Sequence, residues 1–189
     1  MTAQTTAPPP RRRLQQKGAA AALAATLIAI PAVPSVLDAV LPERVWDDTA
    51  ATGPVVDITS VDGNVVDVAV PDGWQSQDSG NRVFLRTDGA TVIVSVFDRE
   101  GRDPRSVAER VMRKQTIQGW ASAWDGGQIS STDGALRGDT CVAIVGDATG
   151  SCAFLADDDV VVAVTSLAKP GAAARPMPEI IDTITRSGS

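Results

Sequence analysis

A chain of 189 residues is long enough for one domain with appendages. It has no histidine and only two cysteines, which excludes Ser-His-Asp and Cys-His catalysis, histidine-containing and Cys₄ zinc sites, and cysteine-ligated iron–sulfur clusters. The net charge of −6 conceals a division: up to position 41, Arg11, Arg12, Arg13 and Lys17 stand against Asp38, and the other 13 basic and 22 acidic residues leave −9, a balance that repels nucleic-acid phosphates.

Residues 1–18 combine Thr, Ala, Gln and Pro with the basic run and have nothing to bury, which predicts a disordered basic tail in the cytoplasm. From Ala19 to Leu37 no charge occurs, a length close to the ~20 residues that cross a bilayer as helix. Basic residues before it and Asp38, Glu43, Asp47 and Asp48 after it orient the C-terminal part outward by the positive-inside rule. A transmembrane helix over 19–41, acting as an uncleaved signal anchor, is the favoured expectation, with Pro31 and Pro34 tolerated in a span. A cleaved signal peptide is the next reading, although cleavage after Ala39 places Leu37 where a small residue is preferred. A buried core helix ranks last, and the Arg11-Arg12-Arg13 run is read as a basic flank rather than a twin-arginine signal. No cysteine follows the hydrophobic run to carry a lipid. Residues 42–62, with Pro42, Gly53 and Pro54, are expected to be a linker.

The folded domain is expected over 63–187. Strand signals occupy 64–70, 82–86 and 90–97, separated by Pro71-Asp72-Gly73 and Thr87-Asp88-Gly89 turns. The near-continuous apolar run of 90–97 predicts a well-covered central strand. Asp103-Pro104 reads as N-cap and first turn of a helix that buries Val107, Ala108, Val111 and Met112 and stops at Gly119. A Gly/Ser/Asp-rich stretch follows, then strands at 140–145, 151–156 and 160–167, and a last helix from about Pro178 burying Ile180, Ile181 and Ile184. The order βββ-α-βββ-α makes an α+β domain with helices packed on an antiparallel sheet.

Cys141 and Cys152 lie on neighbouring strands of the 140–156 hairpin. A two-residue turn at Gly146-Asp147 sets them directly opposite, at a separation a disulfide closes. A structural bond is expected rather than a redox pair, which usually has Cys-x-x-Cys spacing.

The Val70-Pro71-Asp72-Gly73-Trp74 corner, followed by two strands, a helix, a second meander and a terminal helix, resembles the PsbP-like fold and, within it, LpqN-type actinobacterial exported proteins, over residues 64–187. The Ala-, Arg- and Asp-rich composition points the same way, to a high-GC genome. The resemblance implies a non-enzymatic envelope module that binds partners or assists a complex. It transfers no catalytic residue. Members of that group carry a lipidated N-terminal cysteine, which this chain lacks.

Trp74, Trp120 and Trp124 are candidates for a groove that takes a lipid, glycan or peptide; the plainer reading has them cover the core. Arg110 and Arg113, with Arg105 and Lys114, form a basic helix face that suits anionic head groups or cell-wall polymer, or is an ordinary solvated face. Asp157-Asp158-Asp159 lacks the pattern of a calcium loop and reads as a hairpin tip. No catalytic residue, metal site or cofactor is expected. The leading functional expectation is a membrane-anchored, non-catalytic binding or accessory domain outside the plasma membrane, partnered by the bilayer through 19–41 and by a membrane or envelope protein. The alternatives are a single-span accessory subunit of a larger membrane complex (secretion, transport or respiratory) and an envelope hydrolase working through distant carboxylates.

Overall fold

A computed structural model of the chain describes Trp46 and residues 54–187. The expected tail at 1–18, the span at 19–41 and most of the linker lie outside these residues. No helix among the described residues is long and apolar enough to cross a membrane.

In chain order the elements are β1 (Val55–Thr59), β2 (Val65–Ala69), β3 (Gln75–Asp78), β4 (Arg82–Thr87), β5 (Ala90–Asp98), α1 (Pro104–Ile117), β6 (Trp120–Ser130), β7 (Arg137–Val145), β8 (Ala148–Ala156), β9 (Val160–Ala168), α2 (Met177–Ile181) and β10 (Ile184–Arg186). Seven strands form one antiparallel sheet in the order β3-β4-β5-β9-β8-β7-β6, and β1-β2-β10 form a second, smaller one. The fold is α+β, as expected, with more strands than the βββ-α-βββ-α order allowed.

The middle strand of the large sheet explains the layering. All nine residues of β9 are buried, so both faces of the sheet need a cover. On one face Val160, Val162 and Val164 join Val83, Leu85, Val92, Val94 and Val96 against Ile58, Val66 and Val68 of the small sheet and Met177, Ile180 and Ile181 of α2. On the other, Val161, Ala163 and Leu167 join Phe154 and both cysteines beneath Val107 and Ala108 of α1. Each fully buried valine contributes about 1.5–3 kcal/mol relative to exposure.

α1 starts as its sequence predicts. The Asp103 carboxylate accepts from the Ser106 backbone N–H at 3.0 Å, Pro104 opens the first turn, and Gly119, at φ 87°, follows the helix end in the left-handed conformation. Val107 and Ala108 are buried, and Val111 and Met112 half-buried.

Four strands depart from the sequence expectation. β1 lies inside the expected linker and pairs with β2 from Val55↔Ala69 to Thr59↔Val65. β3, Gln-Ser-Gln-Asp, has no apolar residue and exists through its backbone pairing with β4. β6 occupies the Gly/Ser/Asp-rich stretch as an edge strand with a bulge between Trp124 and Gln128. The last helix ends at Ile181 rather than running through Ile184. The i, i+1, i+4 spacing of the three isoleucines fits a helix, but Ile184 reaches the same core as a strand residue opposite Val68.

Cys141 and Cys152 are in register, with Val145↔Ala148 closing the hairpin around Gly146-Asp147. They form a disulfide with Cα atoms 4.8 Å apart, within the range that the bond requires. Two strand glycines beside it are held by close backbone approach: a Cβ on Gly150 would lie 1.8 Å from the Ser166 carbonyl oxygen, and one on Gly138 would lie 1.7 Å from that of Phe154.

Replacing both cysteines by alanine should cost about 2–3 kcal/mol by loop-closure entropy, read as a lower Tm for the variant than for the oxidised protein, with unchanged far-UV circular dichroism. Gly150→Ala should cost about 2–3 kcal/mol by overpacking, read as a lower denaturant midpoint at unchanged slope.

Candidate functional site

The three tryptophans do not converge. Trp74 follows the Pro71-Asp72-Gly73 turn and packs against the core beneath the small sheet, with the Arg175 guanidinium 5.7 Å from its ring centroid. Trp120 and Trp124 project from the α1 side of β6, opposite Val145 and Cys141. Trp124 meets Phe154 edge-on at 5.5 Å and 62°, with Arg105 4.8 Å from its centroid. The cleft beside Trp120 has a volume of about 10 Å³, at the lower limit for one water. Trp124 packs on the core beneath α1 and also lines a cleft of about 210 Å³ with Arg105, Arg137, Asp139 and Phe154, whereas the space beside Trp120 holds at most one water.

The basic helix face also divides. Arg105 is drawn toward the sheet by Asp139 at 3.1 Å and pairs with Glu109 at 3.6 Å. Arg113 donates to the Glu109 carbonyl oxygen of its own helix at 3.4 Å. Arg110 and Lys114 instead line a groove between α1 and the end of β5.

This groove, of about 290 Å³, brings Phe97, Val107 and Val111 together with the β1–β2 turn residue Val61 and with Asp98, Glu100 and Arg102. It exists because α1 and the small sheet cover opposite faces of the large sheet and approach each other only near the end of β5. Asp98 fastens that corner. Its carboxylate accepts from the Ser60 hydroxyl, from the Asn64 side-chain amide at 3.0 Å and from the Asp62 backbone N–H at 3.0 Å. Partial burial works to raise the Asp98 pKa, but donation by Ser60, Asn64 and the Asp62 and Val61 backbone outweighs it and holds the group below the ordinary 3.8. Val61, held out by this clamp, is 92% exposed. Glu100 pairs with Arg102 at 2.5 Å. Arg110 and Lys114 are exposed, and neither takes part in an ion pair among the described residues.

A second, broader depression of about 760 Å³ runs along β4 and β5 past Phe84, Arg86, Thr91, Ile93 and Lys169 to Trp46. The Arg86 guanidinium stacks 3.8 Å from the Trp46 centroid and donates to Gln75 Oε1 at 2.7 Å.

Asp157-Asp158-Asp159 is the β8–β9 hairpin tip, as its sequence predicts. Arg186 lies 2.7 Å from the Asp157 carboxylate, and Arg99 donates to the Asp157 carbonyl oxygen at 2.6 Å. Among the described residues no group of three or more carboxylates and cysteines is placed to hold a metal. Two further carboxylates titrate low for local reasons. Asp125 accepts from the Thr140 hydroxyl and the Gly127 N–H within the β6 bulge, and Asp133 accepts from the Ser131 hydroxyl and the Ala135 N–H in the β6–β7 turn. A general acid at neutral pH needs its pKa raised; Asp98, Asp125 and Asp133 are shifted the other way and act as fixed hydrogen-bond acceptors.

Sequence reasoning found Arg110 and Lys114 but missed Val61, Phe97, Asp98 and Arg102. Val61 carried a readable signal, an isolated apolar residue in a Val-Asp-Gly turn. Asp98 carried none, because its partners at Ser60, Asp62 and Asn64 are more than thirty positions away.

Asp98→Asn should destabilise the protein at neutral pH, since the depressed carboxylate favours the folded state above its unfolded pKa. That contribution falls away as pH drops through the folded value. Denaturant titrations below about pH 5 should show a shallower fall in stability for Asp98→Asn than for the parent chain. Comparison of the chain with models of known protein families and with curated proteins gives no match.

Proposed function

We propose that the chain is a membrane-anchored, non-catalytic binding or accessory domain displayed outside the plasma membrane, with residues 19–41 as its span. The observation that carries this reading is the groove between α1 and β5, where an apolar floor meets the exposed cations Arg110 and Lys114, which enter no ion pair among the described residues. That combination suits holding an anionic, partly apolar group. The disulfide supports an oxidising compartment, in keeping with the charge asymmetry around the hydrophobic run. Kinship with PsbP-like, LpqN-type envelope proteins belongs to the same proposal.

A second reading, a single-span accessory subunit of a membrane complex, is favoured by one surface. On the face of β6 and β7 away from α1, the exposed Val142 and Ile144 lie opposite Ala123 and Ala121, a patch of the kind that protein partners cover.

Fusion of alkaline phosphatase after Ser189 should give enzyme activity in intact cells, and the fusion should resist alkaline carbonate extraction. An inactive phosphatase fusion beside a fluorescent cytoplasmic reporter at the same position would overturn the topology. Release of an active fusion by carbonate would overturn the anchor.

A further inference from the structure

We infer that the groove between α1 and β5 seats the head group and first methylenes of an anionic phospholipid in the bilayer that anchors the chain. This inference deepens the reading above and rests on it. Three features of the groove point to a lipid rather than to a soluble anion.

The first is charge. The part of the chain beyond position 41 carries −9, so most of its surface is repelled by an anionic membrane. At the groove the balance tips the other way: Arg102 is matched by Glu100, the ionised Asp98 is turned to the neutral donors of the β1–β2 turn, and with Arg110 and Lys114 the lining carries a net +1. These two sit at i and i+4, one above the other on the helix wall, where both can reach one phosphate.

The second is the placement of exposed apolar residues beside those cations. Val61, on the groove lip, is 92% exposed, and Ile117, three residues beyond Lys114 on the same helical row, is 88% exposed. Cations flanked by large apolar side chains that stand in water match the boundary between head groups and acyl chains, where the charges stay at the phosphates and the apolar tips enter hydrocarbon.

The third is size. About 290 Å³ is at the low end of small-ligand pockets, which span about 300–1,000 Å³. It admits a head group and the start of a chain while the rest of the lipid remains in the bilayer.

The test uses the full chain in bilayer discs of phosphatidylcholine, with or without phosphatidylglycerol. Val61→Cys carries an environment-sensitive dye; the native cysteines are paired and do not label. The dye emission should shift to the blue in discs containing phosphatidylglycerol and not in phosphatidylcholine alone. Each cation near an anionic surface strengthens association about fivefold, so Arg110→Gln with Lys114→Gln should lower the docked-to-free ratio about 25-fold. Arg110→Lys with Lys114→Arg, which keeps both charges, should retain the shift, as should Lys169→Gln in the other depression. Identical emission in the two discs, or no effect of the double glutamine change, would overturn the lipid site. Displacement by inorganic phosphate would also overturn it, making the groove a plain anion site. If the chain is not retained in discs, the anchored reading fails, and the same labelled protein is mixed with phosphatidylglycerol vesicles: a blue shift there preserves the groove assignment and its absence overturns it.

Discussion

The whole arrangement follows from one requirement, that β9 be dry on both faces. A strand with solvent on one side alternates apolar and polar residues; Val160-Val161-Val162-Ala163-Val164 does not. Such a strand is stable only between two apolar layers. The chain supplies them from sequence-distant parts: α1 for one face, and β1, β2, α2 and β10 for the other. The first and last described elements thus both pair with β2, one along each of its edges. The small sheet is completed only when the C-terminal segment arrives, which couples the ends of the domain in one cooperative unit.

The groove is a by-product of that layering. Two covers laid on opposite faces of a twisted sheet do not meet flush at its margin, and the gap at the end of β5 needs a fastener. Asp98 serves, binding the β1–β2 turn through three side-chain and backbone donors. The same clamp projects Val61 into solvent beside the cationic wall of α1. Stability of the corner and display of the binding residues therefore rest on one carboxylate.

What was legible in the sequence is what local physics determines. The Asp103 cap, the Pro104 start, the Gly146-Asp147 turn and the opposed cysteines depend on residues close in the chain, and each is found in place. The strands that went unread are those whose stability comes from pairing rather than pattern. Gln75–Asp78 has no apolar side chain to announce it, and Trp120–Ser130 carries Gly126 and Gly127 across its bulge. Ile184 shows the converse failure, since helical spacing was present but pairing with Val68 decided its conformation. The basic face of α1 was legible as a face. Its division into Arg105, committed to Asp139, and Arg110 with Lys114, left at the groove, required the position of β7 and β5.

The bulge in β6 has a consequence for how this domain meets other chains. Between Trp124↔Cys141 and Gln128↔Asp139, Asp125, Gly126 and Gly127 stand against Thr140 alone, and the Asp125 carboxylate locks the irregularity through Thr140 and Gly127. At the far margin, β3 is four residues long and polar. Neither margin offers a long, regular row of free amides and carbonyls, so the sheet is poorly suited to being lengthened by a foreign strand, and strand-to-strand polymerisation of crowded copies is discouraged. Visitors to the large sheet are steered to its faces rather than its borders.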